Sequence, residues 1–198
     1  DAGEPLTLSP DNAARYATFI DAVRIADVKQ LTAVYLRYYP LFQRQYVWTQ
    51  GPQWEPLCDD VFRMLERRKS NNSGPRHFLG AVVLEQIPTF GNQVQAHIII
   101  DGQQRLTTFQ IMLAALRDVA SATGVHRYAD EIDRYLLNTG IMDNEEEERF
   151  KVWPSRPDQG AFSAVVSTRS SDGTKSRTLS NSSLLGQAYR YFYNRIYS

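Results

Sequence analysis

A single cysteine, Cys58, stands in 198 residues. That excludes an internal disulfide and a Cys-rich zinc site. There is no excess of charge of either sign, with 22 Lys and Arg against 22 Asp and Glu. This balance argues against holding nucleic acid by bulk positive charge, and leaves room only for a local basic patch. Histidine is scarce: His77, His97 and His126 occur in unrelated contexts. No apolar run approaches the roughly 18 residues of a membrane span, so no membrane partner is expected. The opening "DAGEPLTLSPDN" has no basic segment ahead of an apolar core and is not a signal peptide. An initiator Met is missing too, and the last residues still follow a helical pattern. The expectation is a piece of a larger, cytoplasmic protein.

What is present reads as a globular chain, 42% hydrophobic and long enough for one good-sized domain. "SPDNAARYATFIDAVRIADV" opens on a capping residue and spaces Tyr16, Phe19, Ile20 and Val23 as a helix does. Residues 1–29 are therefore read as an N-terminal helical extension. "LTAVYLRYY" is rich in β-branched and aromatic residues and reads as a strand ended by Pro40, followed by loop through "LFQRQYVWTQGPQ". "WEPLCDDVFRMLERRK" carries Leu57, Val61 and Leu65 four apart, a helix whose basic end suits its dipole. "FLGAVVLEQI" and "VQAHIIID", separated by "PTFGNQ", predict a β-hairpin over 78–87 and 93–101. A helix over 103–120 would bury Leu106, Phe109, Leu113 and Leu116. "YADEIDRYLLN" reads as a shorter helix and "EEEE" at 145–148 as a solvated run. "SAVVSTRSSDGTKSRTLSNSS" reads as a mobile polar loop. A closing helix would bury Leu185, Tyr189, Phe192 and Ile196. The class is α+β, a small mixed sheet flanked by helices.

The chemistry concentrates where the second hairpin strand meets a helix, in "DGQQRLTT". N–H groups at a helix start lack intrahelical partners, and the helix dipole adds positive potential there, so an anion such as a phosphate is well solvated. Gly102 allows close approach. Arg105 can offer a planar fork to phosphate oxygens, and Thr107 and Thr108 can add hydroxyl donors. Asp101 repels phosphate, and makes sense if it binds Mg²⁺, orients a water or holds Arg105. The plain alternative is a turn in which Asp101 caps the helix and Gln103 and Gln104 are solvated. A second cluster, "YPLFQRQYVW" at 39–48, places Phe42, Gln43, Arg44, Tyr46 and Trp48 on a loop. An Arg among aromatics can hold phosphate while rings stack on a base. Alternatively the rings plug the edge of the core while Arg44 pairs with Asp59 or Asp60.

In order and spacing, "YPLFQRQYVW", "HFLGAVVLE" and "IIIDGQQRLTTFQIMLAAL" resemble the ParB-like N-terminal domain of GmrSD-type restriction enzymes and their relatives, including the SspE effectors of phosphorothioate-based phage defence. Pro40, Phe42, Gln43, Arg44, Tyr46 and Trp48 match the first family segment. Phe78, Leu79 and Gly80 match the second, and Asp101 to Arg105 the third. "RFKVWPSRPDQGAF" resembles a later segment, with Arg156 where the family often has Asn. Tyr39 replaces the usual Ile or Val before the proline. The resemblance covers about residues 30–165, leaving 166–198 as polar loop and the start of a following helical region.

The resemblance implies a fold related to ParB and sulfiredoxin. It implies binding of a nucleoside triphosphate (GTP or another) and hydrolysis with Mg²⁺ that licenses DNA cleavage in modification-dependent anti-phage defence. Asp101, Gln104 and Arg105 would be catalytic, with Asp101 near Mg²⁺ or the attacking water. Gln43, Arg44, Gly102, Gln103, Thr107 and Thr108 would bind nucleotide. His77 could face the pocket, whereas His97 and His126 read as structural. The family's nuclease is a separate C-terminal HNH domain, and no His-Asn-His pattern occurs here, so cutting should lie outside this chain. The competing reading is a non-hydrolytic module that recognises modified DNA, with Tyr46 and Trp48 sensing the modification. A third is a protein-interaction domain that keeps the fold alone, and a homo-oligomer is compatible with all three.

Overall fold

The computed structural model describes residues 35–37, 44–70, 80–88, 90, 94–170, 175, 179 and 183–198. The expected N-terminal helix, Gln43 and His77 lie outside the described residues. Among those residues the order is strand β1 (Tyr35–Arg37), a π-helical turn (Gln50–Trp54), helix α1 (Glu55–Lys69), strands β2 (Val83–Ile87) and β3 (Ala96–Asp101), and helices α2 (Gln103–Ala122), α3 (His126–Leu136) and α4 (Glu145–Glu148). A single 3-10 turn (Arg156–Asp158) then leads into α5 (Gln159–Val166), and α6 (Leu184–Tyr197) follows.

The sheet is mixed, in the order β1-β3-β2. β1 runs parallel to β3, with Tyr35 opposite Ala96, and β2 runs antiparallel, with Ile87 opposite Ala96 and Val83 opposite Asp101. The hairpin is thus formed, over a shorter span than the sequence predicts, because residues 80–82 leave the ladder to meet the next helix. α1 starts with Glu55 and Pro56, whose missing N–H falls where a helix has no partner for it, and ends on Arg67, Arg68 and Lys69. Its buried face is Cys58, Val61 and Leu65, with Leu57 at the margin.

α2 is the axis of the molecule. The pattern predicts one apolar stripe, yet sixteen of its 20 residues are buried. Ala114, Ala115 and Ala120 let neighbours approach closely, so helices cover it on several sides. It packs most extensively on α6 and α3. Leu185, Tyr189, Phe192 and Ile196 of α6 are all buried in the same core as Ile111, Leu113 and Leu116. The boundary read at residue 165 therefore does not mark the edge of this core. Each such aliphatic side chain contributes about 1.5–3 kcal/mol by leaving water.

Two polar stretches differ from their sequence reading. Glu148 is buried rather than solvated: Asn144 caps the short α4, and Glu148 Oε2 accepts the Asp143 N–H at 3.0 Å. The "SAVV" at 163–166 is the end of α5, with Val165 and Val166 fully buried. The carbonyls at that helix end take their donors from a buried ionic network. Arg117 donates to Val166 O at 2.8 Å and Thr168 O at 3.0 Å. It also pairs with Asp118 at 2.8 Å and Asp133 at 3.0 Å. Lys175 joins through Asp118 at 3.0 Å, and the Tyr189 hydroxyl donates to the same carboxylate at 2.7 Å. A buried charge needs partners of this quality, which explains an Arg-Asp pair inside a core helix.

Candidate functional site

β3 ends at Asp101 and α2 begins at Gln103, so Gly102 alone makes the turn. Its φ of +96° lies in the left-handed region, and a Cβ there would stand 3.0 Å from Val82 Cγ2. Conformation and close approach both require glycine. Leu106 N–H donates to Gly102 O at 3.0 Å, the first rung of the helix. Among the described residues no side chain caps α2, and Gly102 at its start is buried against Ala81 and Val82. Asp101 is exposed there, opposite Val83.

Arg105 folds back from the first turn toward the segment ahead of β2. Its Nη1 donates to Ala81 O at 2.6 Å. The guanidinium lies against Gly80, whose φ is +93°. Gly80 thus leaves room for the Arg105 side chain, and through that contact the glycine of "FLG" meets "DGQQR". One N–H of Nη1 is taken; Nε and Nη2 have no protein acceptor among the described residues.

Gln104 reaches the other segment. Its Oε1 accepts the Val47 N–H at 2.9 Å and its Nε2 donates to Gln45 O at 3.2 Å. The carboxamide binds the 45–47 backbone as a neighbouring strand would. Beneath it runs a directed chain of hydrogen bonds. Trp54 Nε1, which can only donate, gives to Tyr46 Oη at 2.9 Å. Thr108 Oγ1 donates to Gln104 O at 2.7 Å. The 2.7 Å contact between Tyr46 and Thr108 is therefore the tyrosine donating to the threonine. Burial pushes the Tyr46 phenol well above its ordinary pKa and keeps it neutral. Asp158 completes the hold: its Oδ2 accepts the Tyr46 N–H at 2.8 Å and the Ser155 hydroxyl at 2.5 Å.

Two segments some 60 residues apart in the chain therefore converge on the start of α2. Asp101, Gln104 and Arg105 reach the surface of the joint, and the exposed Arg44 begins the pinned loop. Arg44 makes no ion pair among the described residues. The acids first considered for it are engaged elsewhere, Asp59 by Arg195 at 3.0 Å and Asp60 by Arg63 at 2.7 Å. Other expected site residues are placed differently. Gln103, Thr107 and Thr108 are buried side chains, and the Thr108 hydroxyl is spent on Tyr46 and Gln104. Thr107 Oγ1 is buried without a partner among the described residues. Tyr46 is only 4% exposed and braces the core, with no free ring face for a base; Trp48 is half-buried against the same core. Tyr46 and Trp48 thus pack on the core, whereas Phe42 lies outside the described residues. Asp158, Gly80 and Ala81 had no assigned role in the sequence. The signals for them were the family resemblance of "FLG" and of "RFKVWPSRPDQGAF", neither of which carried a role for these residues.

The architecture defines a mixed α+β domain whose polar motifs meet at one strand–helix joint. The chain belongs to the family of the GmrSD restriction endonuclease N-terminal domain, whose model matches residues 27–197. No curated protein matches it. No helix among the described residues is long and apolar enough to cross a membrane.

Proposed function

We propose that this domain is the regulatory NTPase of a modification-dependent restriction system in anti-phage defence: it binds a nucleoside triphosphate at the β3–α2 joint and hydrolyses it to license DNA cleavage by a separate HNH nuclease domain. The observation that carries this reading is the Gln104 clamp, which fixes the loop of Arg44 beside the helix start that presents Asp101 and Arg105. Two guanidiniums and an uncapped helix end favour a polyanion. Phosphoryl transfer asks little of a protein beyond positioning and charge stabilisation, and Gln104 and Arg105 are held by hydrogen bonds to the neighbouring segments.

Mg²⁺ fits such a site only as a partner of the substrate. Among the described residues no three His, Cys, Asp or Glu side chains come together to hold a metal. Asp101 is a single exposed carboxylate, and Mg²⁺ is commonly held by one or two carboxylates together with substrate phosphates. When bound, the ion would neutralise charge developing on the phosphates. Asp101 would orient it or the attacking water, Arg105 and Arg44 would hold phosphate oxygens, and Gln104 would keep the two segments together.

A second reading, a non-hydrolytic module for modified DNA, is favoured by exposed apolar side chains near the joint: Val47 at 43%, Val83 at 49% and Ile100 at 54%. Phosphate release from GTP and the other nucleoside triphosphates, with and without DNA of each modification type, separates the two. Turnover stimulated by one kind of DNA supports the NTPase. Tight binding of modified DNA with no turnover of any nucleotide replaces it with the binding module.

A further inference from the structure

The carboxylate of Asp158 has no part in the chemistry proposed for the joint. It stands 112 residues from Tyr46 in the chain and accepts that residue's backbone N–H at 2.8 Å. Three polar groups of the 45–47 backbone are then satisfied by two side chains: Tyr46 N–H by Asp158, and Val47 N–H and Gln45 O by Gln104. Three of the six N–H and C=O groups of 45–47 are thus held by side chains, in a loop that belongs to no helix or sheet. Asp158 is itself fixed. It closes the 3-10 turn, its own N–H donates to Ser155 O at 2.8 Å, and the Ser155 hydroxyl donates to its Oδ2. The aromatic contacts of Phe150 with Trp153 and Phe162, at 4.6 and 5.9 Å between ring centres, seat this segment on the core. The residue two before Tyr46 is Arg44, exposed and without an ion pair among the described residues. A loop held this firmly at 45–47 restricts where that guanidinium can go.

We propose that Asp158 is a positioning residue: acting through the Tyr46 backbone and together with Gln104, it holds Arg44 in place to meet the phosphates of a bound nucleotide. This rests on the nucleotide reading of the joint. It gives the "WPSRPD" segment a role at a site to which it contributes no ligand contact. A negative acceptor makes a stronger hydrogen bond to an amide than a neutral one does. Loosening the loop returns orientational freedom to Arg44, which a ligand must then remove.

The test is a double-mutant cycle in the full chain, read by GTP affinity with inorganic tripolyphosphate as a second probe, and by hydrogen exchange at the Tyr46 and Val47 amides. Asp158→Ala is expected to weaken both probes by about tenfold, as loss of a hydrogen bond to a charged group does. It should speed exchange at Tyr46 and Val47 and leave the amides of 111–116 protected. Asp158→Asn keeps one oxygen for the Tyr46 N–H and should restore affinity to within about threefold of wild type. Arg44→Ala should cost a similar factor, and the double variant should lose little more than either single one, because both remove the same contact. Additive losses, or full affinity in Asp158→Ala while Arg44→Ala weakens binding, would overturn the positioning role and leave the nucleotide site standing. Wild-type protein that binds neither probe would overturn both. Melting curves identify a variant that has merely unfolded; if Asp158→Ala does so, Gln104→Ala takes its place in the cycle, with the same coupling to Arg44→Ala expected.

Discussion

The guanidinium of Arg105 occupies the space that a side chain at Gly80 would need: a Cβ there would come within 2.6 Å of both Cζ and Nη1. The two residues lie 25 positions apart, one ahead of β2 and the other in the first turn of α2. Neither motif explains its own residue types alone. The glycine is small because the arginine crosses it, and the arginine is aimed because Ala81 O receives it.

Gly80→Ala follows from that contact. The substitution strains a left-handed backbone, by about 1 kcal/mol or more, and displaces the Arg105 side chain. The expected outcome is a lower melting temperature together with weaker nucleotide binding. A variant that loses stability with unchanged nucleotide affinity would show that the placement of Arg105 is irrelevant to the ligand.

Asp101 and Arg105 should fail in different ways. Asp101→Ala removes an exposed carboxylate and should leave the melt unchanged, abolish turnover and preserve part of the nucleotide affinity. Arg105→Ala should lower turnover by about a hundredfold or more, as removal of a preorganised charge contact does. It should weaken binding too. Arg105→Lys should rescue poorly, since it keeps the charge without the fork. Phosphate release and nucleotide titration on the three variants check this, and wild-type turnover in either alanine variant would move the chemistry elsewhere.

Tyr46→Phe tests the brace. It leaves the Trp54 indole N–H without its acceptor in the core and deprives Thr108 of a donor. A buried donor left unmade costs about 1–3 kcal/mol. Urea unfolding should show that loss, with the slope of the transition unchanged. A neutral result would mean that the chain of hydrogen bonds adds nothing to stability.

Cys58 should be inert. It is buried in α1, and burial pushes its thiol up to about 12. Iodoacetamide at pH 8 should modify it far more slowly in the native protein than in urea. The raised value also sets a sign. The folded state holds this proton more tightly than the unfolded chain, so the Cys58 term is fully present below pH 9. It declines as pH rises toward 12. Cys58→Ser should flatten that alkaline decline; an unchanged slope would assign it to other groups.

Much of the fold was legible because it is local. "AHIIID" is rich in β-branched residues as a strand is, Gly102 punctuates it, and the stretch after it is helical by composition. The apolar face of α6 follows directly from the spacing of Leu185, Tyr189, Phe192 and Ile196. What was not legible depends on partners distant in sequence. The strand in "LTAVYLRYY" was legible, but its parallel pairing with β3, some 60 residues on, was not. An aromatic loop gives no sign of whether its rings face water or core. Tyr46 faces core because Trp54 and Thr108 supply its hydroxyl with partners. Four consecutive glutamates look solvated until one finds a backbone donor at Asp143. Likewise nothing in "SRPDQ" announces that its aspartate ends on the amide of Tyr46.

The burial of α2 on all sides has a mechanical consequence. Sixteen of 20 residues in the core make this helix a fixed datum, roughly 30 Å long at 1.5 Å per residue. Its first turn cannot shift toward a ligand without disturbing the whole interior. Adjustment at the joint is left to the lighter 80–82 segment, hung on that turn by Arg105, because the 45–47 loop is tied to the core by Asp158 and Tyr46 as well as by Gln104. The Arg105 side chain therefore serves as a tether of set length, and the reach of that side of the site is limited by how far an arginine can extend.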